Sequence, residues 1–244
     1  MSETHLRKAA ADELQAFERQ GQRRADADDA AFQMVLVYRQ EGFAFAAVDY
    51  RIEPAAKKTI LTFTVNEGPR VFVDKIELSG NAALTRKDLL PFFEQHTPDL
   101  FGQGRLLFIQ SDIAAAITGI QNHYLSRGYR DVVIDAPLFS FSDDRTRATV
   151  TLHIHEGVQY VVHDIVILGD TLPEIEHFLN QSRRETIGQP YFSRKRWLLR
   201  SRLLELYGNA GYPDATVVVQ EQPGSDPGMI VLEARITPGP LVTV

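Results

Sequence analysis

The pattern Tyr-x-x-x-Gly-aromatic occurs three times in this 244-residue chain, as Tyr38/Gly42/Phe43, Tyr124/Gly128/Tyr129 and Tyr207/Gly211/Tyr212. Gly42 and Gly128 are 86 residues apart, and Gly128 and Gly211 are 83 apart. Such regular spacing restricts the chain to tandem copies of one folding unit. Each motif reads as a helix end. Glycine at the C′ position adopts left-handed backbone that any Cβ would penalise. Counting back, Tyr124 becomes C3 and Tyr129 becomes C″, the two positions that touch in a Schellman cap. Tyr38, Gly42, Tyr124, Gly128, Tyr207 and Gly211 are therefore expected to be structural caps.

The residues around each cap repeat as well. Upstream, Ile113, Ile117, Ile120 and Tyr124 recur at helical spacing, as do Leu199, Leu203, Leu206 and Tyr207. In the first copy Ala31, Met34 or Val35, and Tyr38 mark the same stripe. Ser111 and Ser193 suit N-caps, and Gly119 reads as a mid-helix glycine that alanine would improve. Downstream comes a hairpin in period two. Ala46, Val48 and Tyr50 lead through a turn at 54–57 to Leu61, Phe63 and Val65. Val132, Ile134 and Ala136 lead through Ser142-Asp143-Asp144 to Val150, Leu152 and Ile154. Ala215, Val217 and Val219 lead through a Pro/Gly-rich turn to Ile230, Leu232, Ala234 and Ile236.

The hairpins close on Glu67-Gly68-Pro69, Glu156-Gly157-Val158 and Pro238-Gly239-Pro240. A further strand follows, Val71 to Leu78 before Ser79-Gly80-Asn81, and Val161 to Leu168 before Gly169. A short helix comes next: Thr85 to Asp88 has capping-box spacing, with Leu172 to Asn180 as its counterpart. The unit is thus strand, helix, helix, strand, strand, an α+β domain. The expected divisions are 1–69, lacking its first strand, 70–157 and 158–240, with 241–244 beginning a following module or barrel. Both ends read as cut from a longer protein.

This order, with Gly-aromatic after the second helix, Glu-Gly-Pro after the last strand and Ser79/Gly80/Asn81, resembles the POTRA (polypeptide-transport-associated) family over nearly the whole chain. The third copy departs from the pattern, with Pro238 in place of Glu. The resemblance implies tandem β-α-α-β-β modules, each a three-stranded mixed sheet covered by two helices. It also implies the periplasmic arm of a BamA- or TamA-type outer-membrane assembly protein, whose C-terminal β-barrel is missing from this chain. Such an arm receives unfolded outer-membrane β-barrel proteins and docks accessory periplasmic lipoproteins. The alternatives are the arm of a two-partner secretion transporter and a spacer that binds nothing.

The family sheet places the last strand in the middle and leaves the strand after Gly-aromatic at an edge. Free edges offer unpaired N–H and C=O groups to a foreign strand. The expected strand-addition edge is therefore Val132, Val133, Ile134 and Asp135, together with Thr216, Val217 and Val218. Proline at Val133 or Val218 would probe it if those N–H groups point outward, and proline at their neighbours if not.

Composition excludes several other classes. The net charge of −6 and the lack of a recognisable binding motif argue against nucleic acid. With no cysteine there is no disulfide or thiolate site. No phosphate loop, G-x-S-x-G elbow or H-E-x-x-H is present, so neither catalytic residues nor a cofactor are expected. Gly102-Gln-Gly104 reads as a loop. His153, His155 and His163 invite a metal reading, but His153 aligns with Thr64 and Arg235, a variable solvent face, so no metal is expected. Arg183-Arg184 and the cluster from Ser193 to Arg202 suit anionic headgroups at a membrane surface or an acidic partner. They suit equally the solvated face of an amphipathic helix, which is the favoured reading.

Overall fold

The computed structural model describes residues 1–55, 58–96, 105–169 and 172–242. Three helices come first, α1 (Glu3–Ala9), α2 (Ala11–Arg19) and α3 (Arg24–Gln40), followed by the strands β1 (Ala47–Ala55) and β2 (Lys58–Asn66). Next come β3 (Phe72–Ser79), α4 (Arg86–Leu89), α5 (Pro91–His96), β4 (Leu106–Leu107) and α6 (Gln110–Ser126). The strands β5 (Val133–Ile134), β6 (Leu138–Phe141) and β7 (Arg147–His155) close that stretch. Finally come β8 (Val161–Leu168), α7 (Pro173–Thr186), α8 (Arg194–Asn209), β9 (Thr216–Pro223) and β10 (Met229–Thr237). Each copy of the repeat is α+β.

The chain divides into two compact units. The first comprises Met1–Ser79, Leu84–Gly119 and Asp135–His153, and the second Gly80–Ala83, Ile120–Ile134 and Ile154–Val244. In the first unit, β1 and β2 form an antiparallel ladder from Ala47 opposite Asn66 to Ala55 opposite Lys58. Among the described residues β2 pairs with β1 alone. Leu6, Ala10, Ala30, Met34, Tyr38 and Ala46 bury one core there, because the apolar stripes of α1 and α3 meet the inward side of the hairpin. In the same unit β7 runs parallel to β3, with Ile76 opposite Val150, and antiparallel to β6. The two-residue β4 pairs with Phe72 and Val73, an addition that the repeat pattern did not show.

In the second unit the strand order is β8-β10-β9, with β10 parallel to β8 and antiparallel to β9. Strict alternation along β10 buries Ile230, Leu232, Ala234 and Ile236 against Leu199, Leu203 and Tyr207 of α8. The last strand of the repeat is therefore central and β9 lies at the edge.

Several local expectations are corrected. Ser111 lies inside α6 rather than capping it, its hydroxyl 3.3 Å from the Asp112 carboxylate. Ser193 holds the N-cap position of α8, but its side chain makes no capping bond. Strand β1 continues through Pro54 to Ala55, and the rest of the expected turn lies outside the described residues, as does Gly102-Gln-Gly104. Of the strand expected over 132–136 only Val133–Ile134 is β5, and the next strand, β6, begins at Leu138. A Cβ on Gly119 would sit 2.7 Å from Phe92 Cδ1, so alanine there meets a ring instead of open space. By contrast, Thr85 and Asp88 close their capping box, with the Thr85 N–H donating to Asp88 Oδ2 at 2.8 Å.

Candidate functional site

Strand β9 runs beside β10 without a break in register, from Thr216 opposite Thr237 to Pro223 opposite Ile230. Its other side carries no strand among the described residues. In an antiparallel ladder a residue turns both its N–H and its C=O either toward the partner strand or away from it. The Val217 carbonyl accepts a hydrogen bond from Arg200 Nε of α8 at 3.0 Å. Val217 therefore faces away from β10, and by alternation Val219 and Glu221 do too, while Val218 bonds to β10. The side chains alternate across the pleat: Val217 and Val219 are buried, and Val218 is 55% exposed.

Beside this edge α8 and β9 enclose a groove lined by Ser193, Arg196, Trp197, Arg200, Val217, Val218 and Val219. Helical spacing puts Arg196 and Arg200 one turn apart on that side. The Trp197 indole, the chain's single tryptophan, is 58% exposed. At the far end Glu221 accepts from the Tyr191 hydroxyl at 2.5 Å and from Arg130 Nη1 at 3.1 Å, with Arg196 Nη1 3.5 Å away. Burial, and then Glu221, push the Tyr191 hydroxyl pKa well above its ordinary value. Burial lowers that of Lys195.

The corresponding edge in the middle copy differs. Val133 opposes His155 and Leu138 opposes Thr151, five steps along one strand against four along the other. The extra residue is a β-bulge, and Pro137 within it has no N–H to give a ladder. The Asp135 N–H donates to the His153 carbonyl at 3.0 Å, which turns Val133 and Asp135 toward β7 and Ile134 away. Val132 is spent on the preceding turn, donating to the Tyr129 carbonyl. Phe45 packs on Phe141 of β6 with ring centroids 4.8 Å apart, and the Arg145 guanidinium lies over Phe45. Of the seven expected edge residues, Thr216, Val217 and Val218 stand on a long open edge, and Val132 to Asp135 on a two-residue strand and its flanks. The outward N–H groups belong to Val217, Val219, Glu221 and Ile134. Proline at Val218 or Val133 would cut the sheet instead.

The caps frame both edges. Gly42, Gly128 and Gly211 have φ of +85°, +90° and +90°. In each, the aromatic N–H donates to the tyrosine carbonyl at 2.9–3.0 Å, and the glycine N–H to the carbonyl of the residue after the tyrosine. The ring pairs Tyr38–Phe43, Tyr124–Tyr129 and Tyr207–Tyr212 are edge-on, 5.6–6.1 Å apart. Two contacts were not foreseen. The Tyr38 hydroxyl donates to Glu67 Oε1 at 2.8 Å and the Tyr124 hydroxyl to Glu156 Oε1 at 2.7 Å, tying the helix cap to the Glu-Gly motif. The cue was available, since tyrosine and glutamate recur together in copies one and two and the glutamate is Pro238 in copy three. Each cap glycine also offers its carbonyl to an N–H three residues past the glycine that closes its hairpin: Gly42 to Val71 N, Gly128 to Tyr160 N and Gly211 to Val242 N, all at 2.8 Å.

Of the other candidate groups, His153 and His155 are exposed and come together with Asp135, one ligand atom of each lying within 4.8 Å of the others, an arrangement the sequence reading did not expect. His163 is exposed and stands outside that group, and His153 Nδ1 is 2.8 Å from the Ser79 hydroxyl. Within the basic cluster, Arg183 holds Asp164 and the Ile165 carbonyl, and Arg202 holds Glu205. No described helix is long and apolar enough to cross a membrane.

Residues 71–157 match the POTRA family model, described as "Surface antigen variable number repeat". The chain is similar to the outer membrane protein assembly factor BamA of Nitratidesulfovibrio vulgaris, 26% identical over 205 residues, covering 80% of this chain and 25% of that protein. It is also similar to BamA of Neisseria meningitidis, 22% identical, covering 85% of this chain and 27% of that one. The chain thus spans about a quarter of the length of these curated relatives. Among solved structures, Haemophilus influenzae BamA POTRA3-5 is similar, with 21% identity and a TM-score of 0.41, covering 86% of this chain and 80% of that one.

Proposed function

We propose that this chain, whose middle copy is a POTRA domain, is the periplasmic substrate- and partner-binding arm of an outer-membrane protein assembly factor. On this reading it takes extended segments of unfolded β-barrel proteins by strand addition on β9. A C-terminal barrel and accessory lipoproteins complete the machine in the same proposal. The observation that carries it is the β9 edge: eight residues in unbroken register, outward main-chain groups at Val217 and Val219, and an α8 groove wide open beside them. Main-chain pairing makes such capture tolerant of sequence, which suits an acceptor of many barrel strands. No deep cleft with convergent catalytic groups competes with it among the described residues.

Trp197 reports on the groove directly. Titrating an alternating-apolar peptide should change its fluorescence, and the same peptide N-methylated at alternate amides should not bind, because it lacks the donors a strand must offer. Equal binding by the N-methylated peptide would remove strand addition.

A further inference from the structure

We infer that Arg200 guards the β9 edge and selects what replaces it, so that the groove takes extended segments presenting a carboxylate toward α8. This rests on strand addition at β9. Arginine carries five N–H donors in a planar fork. Arg200 uses one, Nε on the Val217 carbonyl at 3.0 Å, and the other four have no partner among the described residues.

That single bond has two consequences. First, it satisfies an outward carbonyl and sets a positive charge over the free edge. Charge placed on an edge is a standard way for a sheet to avoid pairing with its own kind. Second, a strand adding to β9 brings its own N–H to the Val217 carbonyl along the line that Arg200 now occupies. The guanidinium must then swing off, into a groove narrowed by the new strand.

A displaced guanidinium needs an acceptor. Glu221, the acid of β9, is already held by Tyr191, Arg130 and Arg196. Among the described residues no carboxylate lines the groove, whose charged residues are Arg196 and Arg200. The acceptor must come from the incoming segment. A carboxylate matches the fork with two parallel hydrogen bonds, the Trp197 indole beside it offers an apolar face, and a lysine there would meet like charge. The occupant is therefore an extended, alternating segment with Asp or Glu on the side facing α8.

Three peptides on one alternating scaffold, bearing Glu, Gln or Lys at the helix-facing positions, separate the outcomes through Trp197 fluorescence. The Glu peptide should bind the unaltered chain about tenfold more tightly than the Gln peptide, the worth of one charge-assisted pair. High salt should narrow that gap. Arg200→Gln should bring the Glu peptide to the Gln value while tightening the Gln peptide, since the guard is gone. A merely structural arginine would weaken both. Equal affinity for all three peptides overturns the acid preference and leaves strand addition standing. No binding by any of them removes strand addition, and the selection with it. The unaltered-chain comparison decides the matter even if Arg200→Gln does not fold.

Discussion

The strand β9 and the pair β5–β6 hold the same place in the repeat, directly after a glycine cap, yet one is an open eight-residue edge and the other is broken. The break comes from one extra residue and Pro137. Phe45 then packs against Phe141, where the last copy leaves an exposed indole facing a groove. Shared order and shared caps therefore do not decide which edge is available. A bulge and a proline break one copy's edge, whereas the other's runs unbroken and carries one bond from an arginine. The middle copy is an internal control for the last.

The largest separation between the two regions is expected at the caps themselves. A Cβ on Gly128 would sit 2.4 Å from the Tyr160 carbonyl oxygen, which also receives Tyr191 N–H at 2.7 Å. Among the described residues, a Cβ on Gly211 meets the Leu241 side chain at 2.9 Å and the Val242 carbonyl at 3.1 Å. Gly128→Val should cost at least about 3 kcal/mol, combining roughly 1–2 for left-handed backbone with about 1 for each displaced hydrogen bond. Gly211→Val should cost about half as much in a urea melt. Equal losses would show that the two caps are equally confined.

The helices leading to the two edges should answer alanine with opposite signs. Gly119 of α6 faces Phe92, so Gly119→Ala should destabilise by about 1–3 kcal/mol through overpacking. A Cβ on Gly208 of α8 has nothing within 4 Å among the described residues, so Gly208→Ala should stabilise by up to roughly 1 kcal/mol. Shifts of the same sign in thermal melts would break the contrast.

Smaller still, Pro137→Thr restores an N–H at a half-buried position in the bulge and should change stability by no more than about 0.5 kcal/mol. A photo-cross-linker at Ser140 should then capture an alternating-apolar peptide above the background of the parent. One at Val218 should capture it in both chains. Capture at Ser140 in the parent would mean that the bulge does not close the middle edge.

The finest contrast is in alkali. Burial first, and then Glu67, push Tyr38 up to about 12, whereas copy three has Pro238 where Glu67 stands. A folded-state pKa above the unfolded value of about 10 gives stability that is whole below pH 10. That stability is lost as pH rises from 10 through about 12. Glu67→Gln should narrow the window without abolishing it, because burial remains, and denaturation measured across that range would reveal an unchanged slope if the pair were not coupled.

What the sequence discloses here is what is local. Positive-φ glycines, the Tyr–aromatic contact and period-two burial along β10 each depend on residues a few positions apart. The bulge is different: Ala136 keeps perfect alternation with Val132 and Ile134, and only the missing N–H of Pro137 hints that pairing fails. Gly119 reads as a flaw in a helix until Phe92, 27 residues earlier, is seen filling the space. Arg200 is one of four arginines between Ser193 and Arg202, and nothing in their spacing tells which one reaches a strand carbonyl. Those features belong to the packing of distant segments.

The carbonyl of each cap glycine, bonded to an N–H three residues past the glycine that closes its hairpin, acts as a standard coupling. It spans 29 residues from Gly42 to Val71, 32 from Gly128 to Tyr160 and 31 from Gly211 to Val242, always at 2.8 Å. Hairpins of unequal length thus leave the cap and come back to the same bond. Copies built this way can be duplicated, exchanged or trimmed in their turns with no new contact to invent at the seam. A chimera that grafts residues 129–211 behind Gly42 should therefore close its joint by bonding the Gly42 carbonyl to the Tyr160 N–H.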